Sequence, residues 1–217
     1  MNSRIVFNLV NREIEGRVCD SKHIHKLLDI KSNLKCQVYV ETGTLFGGSM
    51  CLQLQDVQPC YHIGIDLFSG YYSDFSYGSK VDPMTKLDVT LERAQRNIDK
   101  MNFNNHPYDL VKGSSYAPET VEKVKRLLNG RTIDMLFIDG DHSFNGVISD
   151  WNAYKDLVSE GGLVCFDNYS TSSWLEVKKA VDSINFGGER GSKNGENRGY
   201  ETLPVVDECF IVRKRKN

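Results

Sequence analysis

The strongest constraint on this chain is an alternation. Short β-branched or aromatic runs, most of them ending in a polar residue, are separated by stretches with helical spacing. That pattern builds a parallel sheet covered by helices, an α/β fold. Five strands are expected, at 37–40, 61–65, 108–112, 133–138 and 162–166. The first of them, at 37–40, is continuously apolar, as a strand buried on both faces requires. Helices are expected from about Gly48, over 85–102 (with Leu87, Leu91, Ala94 and Ile98 on one face), over 118–129, over 143–159 and near 173–185. Pro118 suits the first turn of its helix and Asn129-Gly130 its end, while Gly161-Gly162 reads as the stop of the helix before the fifth strand. The runs 200–206 and 208–212 lie too close together for a helical crossover and are expected to pair as an antiparallel hairpin.

Two hundred and seventeen residues suit one domain with one core. With 27 Lys+Arg against 29 Asp+Glu the net charge is −2, which lacks the broad positive field of a nucleic-acid or anionic-lipid binder. No apolar run approaches the ~20 residues of a membrane-spanning helix. The opening MNSRIVFNLVNREIEGR places charges where a signal peptide needs an apolar block, so a cytoplasmic location is expected. Residues 1–36 contain an amphipathic stretch (Ile24, Leu27, Leu28) and are expected to form a helical segment, either a lid or a homodimer contact, ahead of a main domain at 37–217. No pair of the six cysteines has C-x-x-C spacing, and a chain this long can fold without staples, so buried reduced thiols are expected.

Chemistry-bearing residues collect at the ends of the expected strands. Glu41-Thr42-Gly43-Thr44-Leu45-Phe46-Gly47-Gly48-Ser49 joins the first strand to a helix, where backbone N–H groups and missing side chains let a ligand approach; helix packing alone could also call for small residues. Asp66 ends the second strand 66 − 43 = 23 positions after Gly43, about the offset at which an acid reaches ribose hydroxyls. The wider G-x-x-x-G spacing argues against a nicotinamide dinucleotide turn. Asp139 ends the fourth strand, and Asp167-Asn168 end the fifth. If the two strands are neighbours, these three converge as hard oxygen ligands for Mg²⁺ or a similar divalent cation; the alternative is that each caps a turn. His142 lies three positions beyond Asp139 and is the candidate proton acceptor, with Asp141 as its partner or as a helix N-cap. The other histidines (His23, His25, His62, His106) show no comparable setting.

These residues together resemble the class I S-adenosylmethionine-dependent methyltransferases, over about Val38 to Val212. The motifs that carry the resemblance are Glu41-Thr42-Gly43 with Gly47 and Ser49, Asp66, the IDGDH segment at 138–142 and the Asp167-Asn168 pair. The resemblance implies a Rossmann-like, doubly wound sheet of about seven strands with a reversed C-terminal strand. It places Glu41, Gly43, Thr44, Gly47 and Ser49 at the amino-acid end of S-adenosyl-L-methionine, Asp66 at the ribose, and Gly113-Ser114-Ser115 on the adenine side, with Asp139 also at the cofactor. The pairing of Asp139 with Asp167-Asn168 is similar to the metal-dependent catechol O-methyltransferases, and the histidine after the first acid to the macrolide-sugar O-methyltransferases, where it serves as base. The acceptor implied is a small-molecule hydroxyl: sugar, diol or phenol. A metal-independent methyltransferase and a non-catalytic nucleoside-binding protein are the alternatives. Two segments are expected to select the acceptor: 68–84, with Tyr71, Tyr72, Phe75 and Tyr77, and the glycine-rich 187–199.

Overall fold

The computed structural model describes residues 2–18, 23–69, 81–186 and 199–216. Seven strands form one sheet in the order β3-β2-β1-β4-β5-β7-β6: β1 (Val38–Thr42), β2 (Tyr61–Asp66), β3 (Tyr108–Lys112), β4 (Ile133–Ile138), β5 (Val158–Phe166), β6 (Tyr200–Thr202) and β7 (Phe210–Lys214). Strands β1 to β5 pair in parallel, and β7 runs antiparallel to both β5 and β6. The order reverses between β1 and β4, so the crevice outside their carboxyl ends is the switch point where open α/β sheets bind ligands. The terminal hairpin supplies the reversed strand, as expected, although its ordered arms are shorter and Val206 and Cys209 meet only as an isolated bridge.

Alternate side chains on each strand feed two cores. Val38, Val40, Leu136, Ile138, Val164 and Phe166 face one layer, which is closed by α5 (Pro118–Leu128), α6 (Phe144–Tyr154) and α7 (Leu175–Ser183). Tyr39, Met135, Phe137 and Cys165 face the other, closed by α1 (Ser3–Glu13), α2 (Ile24–Leu34), α3 (Gly48–Gln53) and α4 (Leu91–Met101). The N-terminal helices are thereby built into the second core: Val6, Val10, Ile14, Ile24 and Leu27 are buried among strand residues. Cys36, Cys51, Cys60, Cys165 and Cys209 are buried free thiols, and Cys19 lies outside the described residues.

Helix boundaries differ from expectation where a local device overrides periodicity. The helix expected at 85–102 starts only at Leu91, because the Thr90 side chain accepts from the Arg93 N–H and caps it. The helix expected over 143–159 stops at Tyr154, runs through one 3₁₀ turn at Lys155–Leu157, and gives way to β5 at Val158. Gly161, at φ +81°, does not end a helix but lies inside β5, whose pairing with β4 shifts register between Ile133 and Met135. Among the described residues, no helix is long and apolar enough to cross a membrane.

Candidate active site

The register of the central strands assembles the site. Ile138 of β4 is paired with Phe166 of β5, so Asp139 and Asp167 follow as the next residues on adjacent strand tips. The Asp139 N–H donates to the Thr42 carbonyl at 3.1 Å, and the Asp167 N–H to the Ile138 carbonyl at 3.0 Å, so both backbones are fixed by the ladder they leave. His142 returns on the turn before α6 and places Nε2 3.1 Å from Asp139 Oδ1. One donor atom each from Asp139, His142 and Asp167 lies within 4.8 Å of the other two. The Trp174 ring packs on His142, with centroids 4.6 Å apart. Asn168 follows in a left-handed conformation (φ 56°) and is half-buried.

Two sequence readings are corrected here. Asp141 does not cap α6; Ser143 does, accepting from the Gly146 N–H at 3.0 Å, while Asp141 accepts from the Ser143 N–H and from the Tyr116 hydroxyl. His23, set aside with the other histidines, is fully buried and brings Nε2 to 2.5 Å from Asp167 Oδ1. No periodicity marks His23, since it precedes α2 from the far end of the chain and only the tertiary fold reveals its partner.

The first loop uses one of its glycines to fit the strand tips together. Gly43 has φ +86°, and a Cβ there would meet the Asp139 carbonyl oxygen at 2.0 Å, so the glycine is required by the close approach of two strand tips. The N–H groups of Gly43, Thr44, Leu45 and Gly47 donate to Ile65 O, Ile65 O, Asp66 Oδ2 and Thr44 O, so they are spent within the protein rather than held open for a ligand. Gly47, at φ +78°, is the residue before α3. Asp66 accepts from Leu45 and Phe68 N–H groups, one on each oxygen, and its burial raises its pKa against the pull of those bonds. Of the serines after β3, Ser115 is buried with its carbonyl taken by the Tyr154 hydroxyl, while Ser114 stays half-buried.

Glu41 is fully buried at the end of β1. Its Oε2 accepts from the Tyr39 hydroxyl at 2.8 Å and from Ser49 at 2.9 Å, whereas Oε1 has no hydrogen bond of good geometry among the described residues, with the Thr44 hydroxyl nearby. Burial lifts this carboxyl to about 7 despite those hydroxyls. Asp139 is pushed well above the usual carboxylate range by burial and by the adjacent Asp167 charge. For Asp167 burial acts upward too, but His23 and Asp139 outweigh it and the net direction is down. Burial lowers the pKa of His142, against the opposing charges of Asp167 and Asp141. Gly140, Asp141, His142, Asp167 and Val177 line a tight recess at these strand tips. Residues 70–80 and 187–198, which hold most of the two expected acceptor-selecting segments, lie outside the described residues.

A family profile described as a methyltransferase domain matches residues 40–169, the stretch from β1 through both acidic strand tips. The chain belongs to this methyltransferase-domain family. An uncharacterized protein of Acanthamoeba polyphaga mimivirus is similar to this methyltransferase-domain chain, at 32% identity over 165 residues; the match covers 75% of the chain and 66% of that relative's length. Among solved structures, the O-methyltransferase TomG of Streptomyces achromogenes, involved in tomaymycin synthesis and seen in complex with SAM, aligns with a TM-score of 0.63 at 11% identity, over 98% of this chain and 90% of TomG. An O-methyltransferase of Bacillus cereus in complex with SAH aligns at 0.60 with 12% identity, over 99% and 90%. The fold is therefore that of the class I S-adenosylmethionine-dependent methyltransferases.

Proposed function

We propose that the protein transfers a methyl group from S-adenosyl-L-methionine to the hydroxyl of a small molecule (a sugar, diol or phenol), with a divalent cation such as Mg²⁺ held by Asp139, Asp167 and Asn168. The observation that carries this reading is the convergence of Asp139, His142 and Asp167 at the switch point of a methyltransferase-family sheet. The donor set fits a hard cation: the half-buried Asp139 and buried Asp167 carboxyl groups stand against each other, and their mutual repulsion would be relieved by positive charge between them. The methyl donor fits as well, because the buried Glu41 offers an acceptor oxygen where an ammonium group can be received. A bound cation would supply positive charge at the acceptor hydroxyl, and the sulfonium of the donor an electrophilic methyl group.

The chain's own residues have three tasks. Glu41 and Ser49 hold the amino-acid end of the donor, and Asp66 with Ser114 marks the adenosine side. His142 receives the hydroxyl proton; its pKa is lowered by burial, so the ring is neutral and able to accept at neutral pH. Trp174, packed on that ring, holds it in orientation. The third task is alignment of oxygen, methyl carbon and sulfur, a positioning effect without which neither charge nor base suffices.

The test pairs two measurements. Calorimetry is expected to show binding of S-adenosylhomocysteine and none of NAD⁺; the reverse result would overturn the methyl-donor reading. Transfer of labelled methyl to a panel of sugars, catechols and phenols is expected to stop with EDTA and return with Mg²⁺. Transfer that ignores chelation would leave the methyltransferase and remove the cation.

A further inference from the structure

Asp167 reaches the site already committed on one side. Its Oδ1 lies 2.5 Å from His23 Nε2, and neither side chain has any exposure to solvent. The His23 main chain is fixed by the start of α2, where its carbonyl accepts from the Lys26 and Leu27 N–H groups at 2.7 and 3.2 Å. The flanking Ile24, Leu27 and Leu28 are buried in the second core, so the imidazole has little freedom to move. Earlier in the chain, the Asn97 side chain accepts from the Glu15 N–H and donates to the Glu15 carbonyl, and the Arg17 guanidinium pairs with buried Asp82 at 3.2 Å.

An imidazole is a costly way to fill this space. His23 Nδ1 is buried without a hydrogen-bond partner among the described residues, and Nε2 meets Asp167 Oδ1 as a close ion-pair contact rather than a hydrogen bond of good geometry, a penalty that an apolar side chain of similar size would avoid. What the imidazole adds is the contact to Asp167. A carboxylate gripped at Oδ1 cannot rotate freely about its Cβ–Cγ bond, so its second oxygen keeps one direction.

We infer that His23 is a positioning residue contributed by the N-terminal segment, which fixes the Asp167 carboxylate for cation binding beside Asp139 and His142. The inference rests on the cation reading above. It also makes the N-terminal segment part of the site, because truncating the chain before α2 removes the grip on Asp167.

The experiment is a titration of the full chain with Mn²⁺ alone, followed by calorimetry and by the paramagnetic resonance signal of free Mn²⁺. Three variants are compared with the wild type: His23→Ala, His23→Gln and His23→Phe. Ala and Phe are expected to weaken Mn²⁺ binding by about 10–100-fold, the usual effect of removing a group that orients a ligand. Gln, which keeps an N–H donor, is expected to recover most of the affinity, and S-adenosylhomocysteine binding is expected to hold in all three. Phe fills the volume without a donor, so it replaces Ala if the cavity unfolds the chain. A merely structural His23 would make Phe at least as good as Gln, and that order would overturn the inference. Mn²⁺ affinity unchanged or raised in both Ala and Phe would also overturn it while leaving the cation site standing. A wild type that binds no Mn²⁺ removes the cation site and this role with it.

Discussion

The two ends of the same strands bury polar groups in opposite ways. At the amino ends of β1 to β3, Lys31 is fully buried with Nζ 3.3 Å from Asp56 Oδ2, and the surrounding groups close on one another: Asn104 donates to the Leu54 and Asp56 carbonyls, and Gln58 to the Ser32 carbonyl. Charge there is balanced within the chain. At the carboxyl ends, Glu41, Asp66, Asp139 and Asp150 are all pushed upward by burial, so the dominant influence on each is the loss of water. A balanced buried pair holds a fold together, whereas an excess of one sign at a switch point is a place kept for something else.

The sharpest way to break this contrast is Asp139→Ala. On the proposed cation reading it is expected to reduce methyl transfer by about 10³-fold or more, since it would remove a cation ligand worth several kcal/mol to the reaction. Rates per folded molecule, normalised by S-adenosylhomocysteine binding, check it, and a change under tenfold would return Asp139 to a structural role. At the opposite end Lys31→Ala is expected to cost about 3–5 kcal/mol of unfolding free energy by stranding Asp56, with turnover of the folded fraction unchanged. Urea denaturation alongside the transfer assay separates the two, and lost turnover in a stable variant would erase the distinction between the ends.

His142→Ala is expected to lower turnover by at least about a hundredfold while cofactor affinity holds. Single-turnover kinetics check this, and an unchanged rate removes the base. The last effect concerns Asp150, whose Oδ2 accepts from the Thr42 hydroxyl at 2.9 Å and whose carboxyl is lifted to about 7 by burial, against the Ser115 and Thr42 hydroxyls. Its folded-state value lies above the ordinary 3.8, so the native state keeps a proton that the unfolded chain releases. Its stabilising contribution is complete below about pH 4 and is lost as pH rises towards 7. Asp150→Asn removes that slope, and its stability relative to the wild type is expected to improve between pH 4 and 8 by on the order of 2–4 kcal/mol. Parallel denaturation curves for the two proteins across that range would expose the assignment as wrong.

The sheet was legible because its strands carry uninterrupted apolar runs that stop at a polar residue, and two of those stops, Asp139 and Asp167, become neighbours once β4 and β5 pair. Helix ends were less legible, since the Thr90 cap and the Gly161 irregularity act through single side chains and single dihedrals that periodicity does not register. Within the site, residues on strand tips could be found by position. His23 could not, because its relation to Asp167 exists only after α2 has packed against the sheet. Within the first loop, the Gly43, Thr44 and Leu45 N–H groups are taken up by Ile65 and Asp66 of β2, partners that a sequence scanned locally does not contain.

Gly43 ties the two halves of this chemistry together. With the Asp139 carbonyl only 2.0 Å from where a Cβ would stand, the turn after β1 and the tip that carries the acid are wedged into a single mechanical unit. Any bulk at residue 43 would pry β1 from β4, so its first symptom would be a displaced acid at the neighbouring tip rather than a blocked turn.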